Sequence, residues 1–217
     1  DSSDSWTITC TTCPSWLSIS HTAGASTATL SGTPLNANVG DNSVVISVAD
    51  AASATGTQSF TIAVVNTNDA PTITSTAVTS ATEDTAYTYT VTTADDDSDV
   101  ITLTGTTVPS WLTFTASTGV LAGTPLNANV GDNSVVITAS DSNGGSVTDT
   151  FTITVANTND APAVSSTAVT SATEDAAYSY SITTSDDDSD SSDSWTITCT
   201  TCPSWLSISH TAGASTA

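Results

Sequence analysis

The chain has 217 residues, no Lys or Arg, 22 Asp plus Glu and a formal charge of −22 at neutral pH. Nucleic acid and anionic membrane surfaces are excluded as partners, because both are bound through cationic side chains. Schiff-base catalysis and ordinary ion pairs are excluded with them, so the carboxylates must be spaced apart, solvated or neutralised by bound cations.

Residues 1–66 begin at Asp1 with no signal-peptide pattern, as a mature or excised piece would. Cys10 and Cys13 form a C-x-x-C pair just ahead of Pro14-Ser15-Trp16-Leu17. Such a pair suits metal or redox work in a cytosolic chain. Here no second pair falls within the same repeat, a tetrahedral zinc site would lack two ligands, and no helix opens at the motif. A short-loop disulfide is the better reading, and Cys199 with Cys202 repeats it. His21, among Ser and Thr, reads as a solvated side chain. The run Asn66-Thr67-Asn68-Asp69-Ala70-Pro71 is dense in oxygen ligands and ends in a proline that cannot donate to a sheet. It suits a stiff joint filled by a hard cation.

From residue 72 onward the strand signals are short and separated by turn residues. They predict strands over 72–79, 86–93, 100–105, 111–114, 119–122, 133–140 and 146–156. Tyr87, Tyr89 and Val91 alternate with threonines, as do Phe151, Ile153 and Val155, which is the period of a half-buried strand. Asn143-Gly144-Gly145 reads as a tight hairpin turn. About seven short strands in such a span indicate an immunoglobulin-like sandwich. Trp111, after Pro109-Ser110, either anchors the core or offers a stacking platform to a sugar. No segment approaches the roughly 18 apolar residues of a membrane helix.

Residues 190–217 repeat residues 1–28 without change, an offset of 189 residues. Within that period NTNDAP, GTPLNANVGDNSVVI and STAVTSATED each recur 91 residues apart. The period therefore alternates a 91-residue unit with one of 98 residues, which carries an insertion, DSSDS, after its acidic loop. Residues 1–66 are the later part of a long unit, 67–157 a complete short unit and 158–217 the early part of the next long unit. Either the chain is a window on a longer array, or a second subunit completes the broken sandwich.

In order, Pro-Ser-Trp-Leu, Ser117–Pro125, Ala139–Gly145 and NTNDAP resemble the cadherin-like repeats of dystroglycan and of bacterial and archaeal surface proteins. The resemblance implies tandem Greek-key sandwiches of about seven strands each, an all-β chain outside the cell, calcium at the junctions, and a stalk or adhesive role without catalysis. Gly-Thr-Pro stands where true cadherins carry an acidic motif, which implies fewer ions per junction.

Asp95-Asp96-Asp97-Ser98-Asp99 recurs as Asp186-Asp187-Asp188-Ser189-Asp190. Four carboxylates in five residues can supply the six to eight oxygens of a calcium ion, though a solvated acidic loop remains the alternative. Val100 and Thr106 exclude an EF-hand, which needs Gly and Glu there. Carried over from the resemblance, one site would use Asn68, Asp69, Asp95, Asp97 and Asp141, with the Thr67 carbonyl. A second would use Glu83, Asn157, Asn159, Asp160, Asp186 and Asp188. Glu174 and Asp50 would serve neighbouring junctions. The sequence thus points to a structural, non-enzymatic module of an extracellular filament or cell-surface rod. Its cofactor would be Ca2+ and its partners neighbouring copies of the same repeat. The alternative is an adhesin region binding glycan or another protein.

Overall fold

A computed structural model describes residues 5–188 and 196–209. Asp190 and the rest of the DSSDS insertion, with Trp195 and His210, lie outside the described residues. Apart from two single 3-10 turns, every regular element described is a β-strand. The chain forms two compact units, residues 1–72 with 94–102 and 140–147, and residues 73–93 with 103–139 and 148–217.

In the first unit, β1 (Thr7–Thr12), β4 (Gly40–Ala49) and β5 (Thr55–Val64) form one sheet in the order β1-β4-β5. β2 (Leu17–His21) and β3 (Ala28–Gly32) form another. β1 pairs antiparallel with β4 until a bulge between Cys10 and Thr12. The Cys10–Cys13 disulfide sits there, with its Cα atoms 5.8 Å apart.

The second unit holds most of the complete repeat. Its strands are β6 (Thr72–Ile73), β7 (Ser80–Thr82), β8 (Tyr87–Thr90), β9 (Thr93–Ala94), β10 (Thr102–Thr107), β11 (Leu112–Thr115), β12 (Val120–Gly123), β13 (Gly131–Ser140) and β14 (Ser146–Ala156). One sheet has the order β10-β13-β14-β7, the other β11-β12-β8, and β6 pairs with β9. The alternating apolar positions of β8, β13 and β14 meet in a core of Tyr87, Tyr89, Val91, Leu112, Leu121, Val135, Ile137 and Ile153. Beyond them, β15 (Ala163–Val164) pairs with β16 (Thr184–Ser185), and a second disulfide joins Cys199 to Cys202.

Two of the predicted strands are each broken in two. The 72–79 run contributes only Thr72–Ile73, and β7 forms further on, parallel to the end of β14. The intervening chain is held by side chains: the Tyr87 hydroxyl donates to the Val78 carbonyl at 2.7 Å, and Ser75 Oγ shares a hydrogen bond with Tyr89 at 2.8 Å. The 86–93 run breaks between β8 and β9, where Val91 donates to the Gly119 carbonyl. The predicted tight turn at 143–145 is a five-residue loop, Asp141 to Gly145, between β13 and β14. The carboxylate of Asp141 organises it, accepting from the N–H groups of Asn143 and Gly145 at 2.8 Å each.

Trp111 belongs to the core. It is half-buried, stands edge-on to Tyr87 at 5.8 Å, and donates its indole N–H to Asn133 at 3.0 Å. Trp16 does the same with Asn42 at 3.1 Å. Gly123 of the Gly-Thr-Pro motif explains itself here, since a Cβ would lie 2.0 Å from the Trp111 carbonyl oxygen. Gly32 meets Trp16 in the same way, at 1.9 Å.

Candidate metal centres

Among the described residues two groups of three carboxylates bring ligand atoms within 4.8 Å of one another: Asp95 with Asp97 and Asp99, and Glu83 with Asp160 and Asp188.

The first group lies on the loop after β9. Asp95 shapes it by accepting the N–H groups of Asp97 at 2.9 Å and Asp99 at 3.2 Å, and Ser98 adopts a positive φ of 61° to close the turn. Asp97 in turn receives the N–H of Asp69 at 2.6 Å. Asn68 donates to Asp141 at 3.0 Å, and Asn143 to Asp99 at 2.6 Å. These bonds draw the loops 94–102 and 140–147 onto the Asn66–Asp69 run, and all three belong to the first unit. Asp95 Oδ2 and Asp97 Oδ1 are buried and have no hydrogen-bond partner. An unpaired buried carboxylate oxygen is costly, and no Lys or Arg exists to relieve it. The donor set is all oxygen and suits a hard divalent cation. Asn68 holds Asp141 below the usual carboxylate range; partial desolvation opposes this, and the loop N–H groups assist it.

The second group repeats the plan in the second unit. The Thr158 N–H donates to Glu83 at 3.1 Å, and Glu83 is only 2% exposed. Asp188 accepts from the Asp160 N–H and, at 2.9 Å, from the Asn157 side chain. Asp188 N–H donates to Asp186 at 3.1 Å. Glu83, Asp84, Asp160 and Asp187 line an open cavity of about 610 Å3 together with Leu126 and Asn127. Desolvation raises the Asp160 carboxyl above its ordinary range, and repulsion from Asp188, Asp84, Asp187 and Asp186 adds to it.

The sequence-predicted residues divide accordingly. Asn68, Asp69, Asp95, Asp97 and Asp141 are linked by hydrogen bonds in the first unit, and Glu83, Asn157, Asp160, Asp186 and Asp188 in the second. Asn159 turns its amide to the Asp160 carbonyl at 2.8 Å. Asp99 and Asp84 join the carboxylate groups without having been placed there by sequence, although both adjoin residues that were. Asp50 caps its own turn, accepting from the N–H groups of Ala52 and Ala54 at 2.9 Å. His21, read as solvated, has its ring nitrogens 3.1 Å from the Thr27 carbonyl and 3.0 Å from the Trp6 carbonyl.

The repeats are similar to known proteins. The chain is 31% identical over 172 residues to the serine-rich adhesin for platelets of Staphylococcus aureus strain MSSA476, covering 79% of this chain and 7% of the adhesin. Against the strain MRSA252 protein it is 33% identical over 146 residues, covering 67% of this chain and 10% of the adhesin. The chain thus spans a small fraction of the length of these relatives. The protocadherin GammaB4 extracellular domain shares the fold, with a TM-score of 0.50 at 18% identity over 86% of this chain and 35% of that one. An endo-fucoidan hydrolase of glycoside hydrolase family 107 is 31% identical over 70% of this chain and 24% of its own, at a TM-score of 0.38. The Putative Ig domain family matches residues 1–65, 70–156 and 161–214, and the chain belongs to that family.

Proposed function

We propose that the chain is a structural module of an extracellular surface rod, in which calcium neutralises the acidic loops and holds the repeats rigid. The observation that carries this reading is the pair of buried, unpartnered carboxylate oxygens on Asp95 and Asp97, in a chain without a basic side chain. Asp95, Asp97 and Asp99, with Asp69 and Asn68 beside them, would hold one ion. Glu83, Asp160 and Asp188, with Asn157, would hold another. The ion would supply positive charge and a fixed coordination shell. The chain's own part is to preset the loops through Asp95, Asp141 and Asp188, whose acceptors are already saturated by backbone N–H groups. Similarity to adhesins supports a place on the cell surface, and no described helix is long and apolar enough to cross a membrane. With the Trp111 indole N–H bonded inside the repeat, the rod reading is favoured over a glycan platform at that residue. Small-angle scattering and limited proteolysis, with calcium and with chelator, test this. A longer, protease-resistant particle in calcium is expected, and identical behaviour in both conditions would overturn it.

A further inference from the structure

The complete repeat shows how its two halves fit. β7 runs parallel to β14 with Ala81 opposite Val155, and β8 lies antiparallel to β12 with Tyr89 opposite Leu121. Tyr89 meets Phe151 edge-on at 5.6 Å.

The first unit carries the later half of that arrangement. Residues 32–46 copy 123–137. Among the described residues, β3 and β5 stand at the edges of their sheets. Phe60, the counterpart of Phe151, is 36% exposed.

Residues 163–188 carry the earlier half, already in shape. Residues 166–175 copy 75–84. Tyr178 donates to the Val169 carbonyl at 2.7 Å as Tyr87 does to Val78, and Ser166 bonds Tyr180 at 2.6 Å as Ser75 bonds Tyr89. β15 and β16 pair as β6 and β9 do. A segment preset in its bound form loses little entropy on docking.

We propose that residues 163–188 of a second copy of this chain dock on β3 and β5, closing one sandwich from two molecules and extending the assembly head to tail. Strand addition to an exposed edge supplies main-chain hydrogen bonds, and alternate side chains fill the face. The register of the complete repeat sets Tyr178 opposite Gly32, Tyr180 opposite Leu30 and Ala172 opposite Val64. Glu174 of the second copy then reaches the Thr67 N–H, as Glu83 reaches that of Thr158. The first carboxylate group thereby gains the glutamate that the second already has. The donor's residues 196–209, identical to 7–20, give up their place on Tyr178; Trp205 among them is 65% exposed and loosely held. This deepens the rod reading and rests on it for its biological sense.

Sedimentation of the 217-residue chain over rising concentration, with calcium and with chelator, tests it. Association beyond one chain is expected. Phe60→Asp with Ile62→Asp, or Tyr178→Asp with Tyr180→Asp, should each lower the associated fraction at least tenfold. A mixture of the two variants should form dimers and nothing longer, because one working face of each kind remains. Excess peptide of residues 162–188 should cap growth of the unaltered chain, a result independent of how the variants fold. A monomer at every concentration overturns the docking and leaves the rod to its scattering test. Oligomers indifferent to both variants and to the peptide overturn this interface while retaining self-association.

Discussion

Asn133 accepts the indole N–H of Trp111 at 3.0 Å while its own amide donates to the carbonyls of Asn129 at 2.8 Å and Gly131 at 3.0 Å. One side chain thus ties the tryptophan to the 3-10 turn at Asn127–Asn129 and to the start of β13. Asn42 repeats the arrangement with Trp16, Asn38 and Gly40. At about 1 kcal/mol per bond, Asn133→Ala should cost about 3 kcal/mol. Asn133→Asp keeps the acceptor for Trp111 and should lose less. Denaturant unfolding followed by tryptophan fluorescence and by circular dichroism would measure both.

Val108 packs so closely over Gly105 that a Cβ there would lie 2.7 Å from its methyl group. In the first unit the Cys10–Cys13 bridge occupies the matching place. Gly105→Cys with Val108→Cys should therefore oxidise to a disulfide within the complete repeat. On the loop-entropy account so short a ring stabilises by about 2 kcal/mol. A thiol count and the melting temperature with and without reductant would check the outcome.

Burial, with repulsion from Tyr89, pushes the Tyr87 phenol up to about 12. Its neutral form contributes stability that is present below the ordinary value near 10 and is lost as pH rises toward 12. The complete repeat should unfold in alkali across that window. Tyr87→Phe should remove most of this dependence, and loss of the bond to Val78 should lower stability at neutral pH by about 1 kcal/mol. Stability curves at successive alkaline pH values read both effects.

Asp141 and Asp160 should respond to acid in opposite senses. The lowered carboxyl of Asp141 contributes stability above the ordinary value of 3.8, lost as pH falls through its folded value. The raised carboxyl of Asp160 favours the fold below 3.8, and that contribution is lost as pH rises through its folded value. In chelator, Asp160→Asn should therefore stabilise the second unit near neutral pH, whereas Asp141→Asn should destabilise the first. In calcium, Asp160→Asn should bind the ion at least tenfold more weakly. Calorimetric titration together with melting in chelator separates these outcomes.

The strands were legible wherever apolar residues alternate. Tyr87, Tyr89, Ile153 and Val155 all reached the core that their spacing implied. Breaks within strands were not legible, because they follow from hydroxyls of Ser75 and Tyr87 seeking partners elsewhere in the chain. The acidic loops could be read as a cluster from Asp95–Asp99 alone. The roles of Asp99 and Asp84 could not, since the positions of Asn143 and Asp160 depend on how distant loops meet. Asn133 passed unremarked because a polar residue after Gly-Asp reads as a turn until its tryptophan is seen beside it.

The Cys10–Cys13 bridge holds its two Cα atoms 5.8 Å apart. The same three-residue step, fully drawn out, would reach about 10 Å. Under tension from its ends, a repeat carrying this bridge forfeits only a few ångströms of extension. The bond therefore works as a rivet on the bulge of β1 rather than as a leash on the unravelling chain. Repeats with and without it should pay out nearly equal lengths and differ instead in the force at which β1 peels from β4.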